Sequence, residues 1–451
     1  MTADSSSVLT PPASDRTLRA AFAAAALLLI GVSYLMQSPG GSRLQAAAGA
    51  VAFILVVTAC SNNIRAINWR TVGWGIAMQL LLALFILKFE IGGVRPGYVF
   101  FSKVAAAVSR FLEFTNAGSL FVFGGLADAA VMSKVFPGGF VFAFTALPTI
   151  IFISSFFTVL YYFGILQFVV RLMARVMMLA MGTSGAETLS AAANVFMGQT
   201  EAPIIVKPYV PTMTQSELLA MMVGGMATIS GGVMAVYISL GADPIAILTT
   251  SVMAAPCGLY LSKILYPELE EPVTRGIVRV EVEQTHVNVI DAAAAGASDG
   301  TMLAINVAAM LIAFLAFIAF IDAMLALVAP GLSLARIFSW VFAPVAVLMG
   351  TPSADVGPMA DLLGTKLVAN EFVAFVKLTG QYKTAISPRA YVLATFALTG
   401  FANLGSIGIQ LGGIGAMAPS RRGDLARLGG RALLAGFLAT LINACVASIM
   451  L

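Results

Sequence analysis

The sequence predicts an all-α polytopic membrane protein with about nine transmembrane helices, two re-entrant helical hairpins and several helices lying at the membrane surface. Three observations carry that prediction. The 451-residue chain is 59% hydrophobic and only 10% charged, too few charges to coat a soluble particle of its size, and its mean hydropathy is +0.95. Apolar stretches of about twenty residues, the length that crosses a bilayer, recur along it. Polar side chains then interrupt some of these stretches at matched places in two parts of the chain.

A polar tail, residues 1–17, opens the sequence. The first apolar span, 18–36, lacks a small-residue cleavage site and is expected to stay as a membrane helix. Spans at 44–60, 72–89 and 139–164 follow, and 44–164 is expected to form a scaffold region with a surface helix at 98–118. In 98–118 and in 165–181 basic residues recur at helical spacing on one face, and the shorter 333–349 carries Arg336 alone. Such helices suit the membrane surface or the rim of a bundle. Further spans lie at 214–240, 245–264, 302–329, 388–415 and 430–450, with a polar loop at 265–300 as linker between two halves. Arg16 and Arg19 precede the first span, Arg65 and Arg70 follow the second, and Arg421, Arg422, Arg427 and Arg431 separate the last two. Nine crossings with a cytoplasmic amino terminus place all three groups inside and the carboxyl terminus outside.

Several function classes fall away. The net charge of +4 comes with no basic tract for nucleic acid. Cys60, Cys257 and Cys445 sit far apart in apolar segments, and His286 is alone in the polar loop, so neither a disulfide framework nor a zinc site is supported. The glycines of 224–235 and 400–416 follow no strand and precede no suitably placed Lys; close helix packing, not phosphate binding, accounts for them. Asp322, near the outer end of its span, reads as a scaffold contact. A membrane enzyme would need an activated nucleophile, a general base or carboxylate-held metal; none is visible, and no cofactor is implied.

The interrupted stretches carry the functional argument. "NVFMGQTEAPIIV" (194–206) sets Asn, Gln, Thr and Glu inside an apolar run, and a carboxylate such as Glu201 is costly at membrane depth unless it meets a partner, a water-filled cavity or a ligand. "MGTSGAET" (181–188) and "MGTPSADV" (349–356) match in register. Glu201 in "GQTEAP" follows the first copy and Glu371 in "NEFVAF" follows the second. Each copy then reaches a glycine-rich, polar-interrupted span, "GGMATISGGVMA" (224–235) and "GFANLGSIGIQLGGIGA" (400–416). Residues 186–212 and 356–380 are therefore expected to be hairpins, because irregular backbone survives at membrane depth only where protein buries it or it lines a cavity. Three expected crossings separate the copies, which inverts the second. Inverted repeats whose broken elements meet near the midplane are the pattern of secondary transporters. The competing interpretation is that Glu201 and Glu371 merely satisfy each other or the broken backbone.

These stretches, with "SNNIRAINWRTVG" (61–73), "LVANEFVAF" (367–375) and the run on to "MAPSRRGDLARLG" (417–429), closely resemble concentrative nucleoside transporters, especially bacterial sodium-coupled members. The resemblance runs from about residue 55 to the end and leaves the first span uncovered. It implies a homotrimer in the bacterial inner membrane, with a scaffold at the three-fold axis and an elevator-like transport domain in each protomer built from 165–264 and 333–450. It implies that Gln199, Thr200 and Glu201 recognise the nucleobase with Val233 lining that side, that Glu371, Asn403 and Ser406 hold the ribose hydroxyls, and that Phe401 packs on the nucleoside. For sodium it implies the side chains of Asn194 and Thr228 and the carbonyls of Met197 and Ile229, a set of hard neutral oxygens. The family also contains proton-coupled members, so symport with protons is the alternative, with Glu201 or Glu371 as proton carrier.

Overall fold

The computed structural model describes residues 15–132, 134–135, 141–276 and 286–451. Most of the expected polar tail and residues 277–285 of the expected loop lie outside these. The described residues are helical throughout, with one isolated bridge between Ile91 and Val94.

Helices α1 (Asp15–Leu35), α2 (Arg43–Ala59), α3 (Trp69–Leu87) and α4 (Pro96–Phe123) lead, followed by the single turns α5 (Ala129–Met132) and α6 (Phe142–Thr145) and by α7 (Leu147–Tyr162). The first half of the site then runs α8 (Ile165–Met181), α9 (Gly185–Ala193), α10 (Ala202–Ile205), α11 (Gln215–Ala227), α12 (Gly231–Leu240) and α13 (Pro244–Leu265). After α14 (Val289–Val328) the same order returns: α15 (Leu334–Val341), α16 (Ala343–Leu348), α17 (Val356–Val368), α18 (Glu371–Thr379), α19 (Pro388–Leu398), α20 (Leu404–Met417) and α21 (Arg422–Met450). Side-chain caps fix many starts: Ser42, Asn68, Asp243, Asn288 and Ser387 each accept a backbone N–H from the first turn of the helix they precede, supplying part of what a helix amino end lacks.

Eight stretches among the described residues are long and apolar enough to cross a membrane. The stretch 388–415 divides into α19 and α20 at its expected interruption. Two features differ from the expected spans. Helix α14 starts at Val289, so residues 289–300 of the expected polar loop are helical; Asn288 caps them and the small residues of "DAAAAGASDG" continue one uninterrupted helix of 40 residues. The 96–132 stretch meets the length criterion, although the sequence places 98–118 at the surface. Its main helix, α4, carries Lys103, Arg110 and Glu113 exposed.

Burial separates a core from a rim. The 215–240 and 244–265 stretches are 100% and 83% buried, against 6% for α14 and 11% for α1, so the interrupted elements lie inside and the long uninterrupted helix outside. Loop contacts gather at two ends. At one end Arg19 donates to the Ser61 and Asn62 carbonyls, Thr71 Oγ1 donates to the Met181 carbonyl, and Arg421 donates to the Met213 carbonyl. At the other, Arg43 donates to the Leu451 carbonyl, Arg389 to Ser448, and Tyr391 to the Gly241 carbonyl. The two described termini thus lie with different loop clusters, Arg19 beside Ser61 and Leu451 beside Arg43.

Candidate functional site

Two helix breaks organise the site. Helix α11 stops at Ala227; the Thr228 hydroxyl turns back to the Gly224 carbonyl, and Ser230 restarts the chain as α12 by accepting the Val233 N–H. Helix α19 stops at Leu398, the Thr399 hydroxyl turns back to the Thr395 carbonyl, and Asn403 restarts α20 by accepting the Ser406 N–H. Each break is a stop followed by a fresh amino-terminal cap. The breaks touch: the Phe401 N–H donates to the Thr228 carbonyl over 3.0 Å. Gly400 permits that approach with φ of +152°, where a Cβ would meet the Ala227 carbonyl at 3.0 Å and the Met226 carbonyl at 3.1 Å.

Two helix-turn-helix units bring their tips to these breaks. In the first, α9 and α10 flank residues 194–201, and the Gly231 N–H of the first break donates to the Phe196 carbonyl over 2.8 Å. In the second, α17 and α18 are divided at Ala369 and Asn370, and Asn370 caps α18 through the Val373 N–H, which makes Glu371 the first residue of that helix. The matched acids of the repeat hold the bases. Glu187 accepts the Ser184 N–H, and the Ser184 hydroxyl donates to Glu217 in the first turn of α11; Asp355 accepts the hydroxyl of Ser387, the cap of α19. Each hairpin base is thereby tied to the amino end of its own broken helix.

A continuous buried polar chain joins these elements. Tyr237 on α12 donates its phenol to Glu371 Oε1 at 3.2 Å, and Asn403 Nδ2 donates to Glu371 Oε2 at 2.8 Å. Asn403 Oδ1 holds the Ser406 N–H, and Gln199 Nε2 donates to Ser406 Oγ at 3.2 Å. Gln199 Oε1 is buried without a partner, an arrangement costing about 1–3 kcal/mol that a ligand donor would relieve. Tyr237 is fixed by stacking on Phe375, centroids 4.0 Å apart, and by an edge contact with Phe372. Val233, buried on α12, lies one turn before Tyr237 on the same face.

The structure thus brings Gln199, Glu371, Asn403 and Ser406 into one network and sets Phe401 at the contact between breaks. Glu201 and Thr200 lie differently. Glu201 Oε2 accepts the Gly198 N–H, and the side chain faces a cavity of about 760 Å³ between the first hairpin, α7 and α14, whose lining includes Ser230, Lys207, Phe157 and Asp299. Thr200 packs against α20, where a Cβ on Gly413 would strike its methyl group.

The four residues expected to hold sodium lie where the first hairpin meets the first break. Asn194 Nδ2 donates to the Ser190 carbonyl and would stand 2.9 Å from a Cβ on Gly224. Its Oδ1 is buried and without a partner. Thr228 and Ile229 are buried, Met197 lines the cavity, and no cluster of three or more His, Cys, Asp or Glu suited to a metal occurs among the described residues. An orphaned amide oxygen, and a donor set otherwise of neutral hydroxyl and carbonyl oxygens, suits a hard monovalent cation and not a transition metal.

Sequence reasoning missed Tyr237 and Lys366. Tyr237 had a readable cue, since a phenol in a fully apolar buried helix needs a polar partner. Lys366, wholly buried on α17, had the cue of a charge inside a membrane segment.

Comparison with known proteins follows this geometry. Family models match over residues 48–126 (Na+ dependent nucleoside transporter N-terminus), 143–244 (nucleoside recognition) and 246–448 (Na+ dependent nucleoside transporter C-terminus). The mouse protein called sodium/nucleoside cotransporter 1 is 44% identical over 89% of this chain, which spans only 63% of that relative's length. An uncharacterized transporter of Haemophilus influenzae is 43% identical over 91% of this chain and 98% of its own. The solved structure of CNTnw in an inward-facing substrate-bound state superposes with a TM-score of 0.86 at 39% identity, covering 90% of this chain and 97% of that one. The chain belongs to the Na+ dependent nucleoside transporter family.

Proposed function

We propose that this protein is a secondary active transporter that imports nucleosides by sodium symport. The observation that carries the proposal is the polar chain Tyr237, Glu371, Asn403, Ser406, Gln199, which runs from one hairpin to the other through a helix break. A nucleoside is polar at both ends and apolar on its faces. The carboxylate of Glu371 and the amide of Asn403 match vicinal hydroxyls, the free oxygen of Gln199 matches an N–H on a base edge, and Val233 with Phe401 supplies apolar surface. Thr200 and Glu201 join the base side. Sodium bound by Asn194, Thr228 and the Met197 and Ile229 carbonyls would tie the hairpin tip to the first break and pre-organise the Gln199 side of the site.

Elements 165–264 and 333–450 form the mobile unit, moving elevator-like against a scaffold of 44–164 and 302–329, with the hairpins re-entrant and the second repeat inverted. The exposed charges of α4 support its place at the membrane surface. Arginine bias places the end bearing Arg19, Arg65 and Arg421 in the cytoplasm, and the carboxyl terminus outside. The cavity beside Glu201, lined also by Lys207, Pro211 and Met417, then belongs to the inward side. Three copies assemble about the scaffold in the bacterial inner membrane.

Calorimetric titration of the purified protein tests the site. Uridine should bind more tightly in sodium than in choline, and the linkage is reciprocal, with coupling of about 1–3 kcal/mol. Binding indifferent to sodium but shifted by pH would favour the proton-coupled alternative; no binding of any nucleoside would overturn the proposal.

A further inference from the structure

The first helix break has an exchangeable cation assigned to it; the second has a fixed one. Lys366 lies near the tip end of α17, on the first arm of the second hairpin, and is completely buried. Its ammonium donates to the Ala397 carbonyl in the last turn of α19 at 2.7 Å and to Thr440 Oγ1 on α21 at 2.8 Å, and it stands 5.4 Å from the centre of the Phe437 ring. All three partners are neutral. The other buried lysine, Lys263, has carboxylates instead, Glu187 and Glu268. A buried charge with no ion-pair partner is expensive, so its place needs a reason. The carboxyl end of α19 supplies one: its terminal carbonyls lose their helical partners at the break and carry the negative end of the helix dipole.

The same relation holds in the first repeat with a different occupant. There Asn194, at the end of the first arm of its hairpin, faces Gly224 in the last turn of α11, and its buried Oδ1 has no partner. In one repeat an arm residue sets its amide against a severed helix end and keeps its oxygen unpaired; in the other it brings a positive charge there. We propose that Lys366 is a built-in cation, its ammonium holding the second break as a bound sodium holds the first, so that only the first repeat takes an ion from solution. The inference rests on the sodium-coupled function proposed above. Lys366 also interacts electrostatically with Glu371, which heads the next helix, and Gly400 presses on Thr440, which Lys366 bonds. Lys366 is therefore a positioning residue for the half of the site formed by Glu371 and Asn403.

The test uses full-length protein reconstituted in liposomes, with Lys366→Met and Lys366→Ala. Methionine keeps the stem and deletes the charge; alanine leaves room beside the Ala397 carbonyl and Thr440 hydroxyl. For wild type, uridine uptake should rise with sodium at a Hill coefficient of about 1. Lys366→Met should bind uridine about tenfold or more weakly at every sodium concentration, with its sodium half-saturation unchanged when measured at saturating uridine. Lys366→Ala should be equally weak at low sodium but recover at high sodium with a Hill coefficient above 1, as a second ion enters. Uridine affinity within about twofold of wild type in Lys366→Met, or a hyperbolic sodium curve that never recovers in Lys366→Ala, would overturn the proposal. A wild-type protein indifferent to sodium would refute the sodium coupling itself, and the methionine variant's uridine affinity would still report on the charge.

Discussion

Replacing Glu371 with glutamine keeps the side chain's shape and removes one acceptor oxygen. In the structure both carboxylate oxygens already accept, Oε1 from the Tyr237 phenol and Oε2 from the Asn403 amide. An amide at position 371 must turn its NH2 away from Asn403 Nδ2, because two donors would then face each other. The Tyr237 hydroxyl can rotate to accept the new donor. The acceptor lost is therefore the spare capacity that a sugar hydroxyl would use, together with the negative charge that strengthens such bonds. Hydrogen bonds to charged groups contribute about 1.5–3 kcal/mol, which corresponds to about a 10–150-fold loss of nucleoside affinity. Calorimetric titration with uridine measures it, and 2′,3′-dideoxyuridine closes a double-mutant cycle. The dideoxy analogue, lacking both hydroxyls, should lose much less from the substitution. Equal losses for the two ligands, or uridine affinity within about twofold of wild type in a protein of unchanged melting temperature, would refute the role of Glu371.

Gln199→Ala should change the ratio of uridine to adenosine affinity while leaving discrimination between ribose and deoxyribose intact, because specificity is a difference of affinities and only the base differs in the first comparison; an unchanged ratio in competition uptake would move base recognition elsewhere. Thr228→Val deletes the hydroxyl and keeps the shape, so the sodium concentration for half-maximal uptake should rise with little effect at saturation, whereas Thr228→Ser should be nearly silent. A valine variant with the wild-type sodium curve would remove Thr228 from the ion site. Gly400→Ala forces a Cβ toward the Ala227 and Met226 carbonyls at a backbone angle of +152°, which should lower stability by about 1–3 kcal/mol and depress uptake; thermal unfolding in detergent reads this out, and an unshifted melting temperature would show that the breaks do not need their close contact.

Much of this architecture was legible because a bilayer punishes polar interruptions. "GGMATISGG" and "GFANLGS" announced their breaks through residues that end one helix and cap the next, Thr228 with Ser230 and Thr399 with Asn403. The matched acids Glu187 and Asp355 marked the hairpin bases for the same reason. Continuity was harder to read. Residues 289–300 look like loop by hydropathy, yet Asn288 and a run of small residues continue a helix through them, since Gly296 and Gly300 lie close against Ser154 and Ile151 of α7. Surface and crossing helices were not separable at 96–132, where the apolar content of a long helix and its three charges point in opposite directions. Within the site, the residues of the hairpins and breaks were found by resemblance, but pairings were not. That Gln199 reaches Ser406, that Tyr237 holds Glu371 and that Glu201 faces the cavity between the first hairpin, α7 and α14 depend on long-range packing, which local periodicity does not encode. Lys366 was overlooked because a lysine near a helix end normally snorkels to the interface, whereas here α21 and the end of α19 enclose it.

The central claim is that a sodium gradient drives nucleoside accumulation through this site. Labelled uridine uptake into proteoliposomes, with inward sodium and inward proton gradients imposed separately at zero membrane potential, tests it most directly. The account predicts accumulation above the external concentration with the sodium gradient alone, slowed about tenfold or more by Glu371→Gln at uridine below the wild-type half-saturation. Accumulation driven only by the proton gradient, or mere equilibration under both, would contradict it.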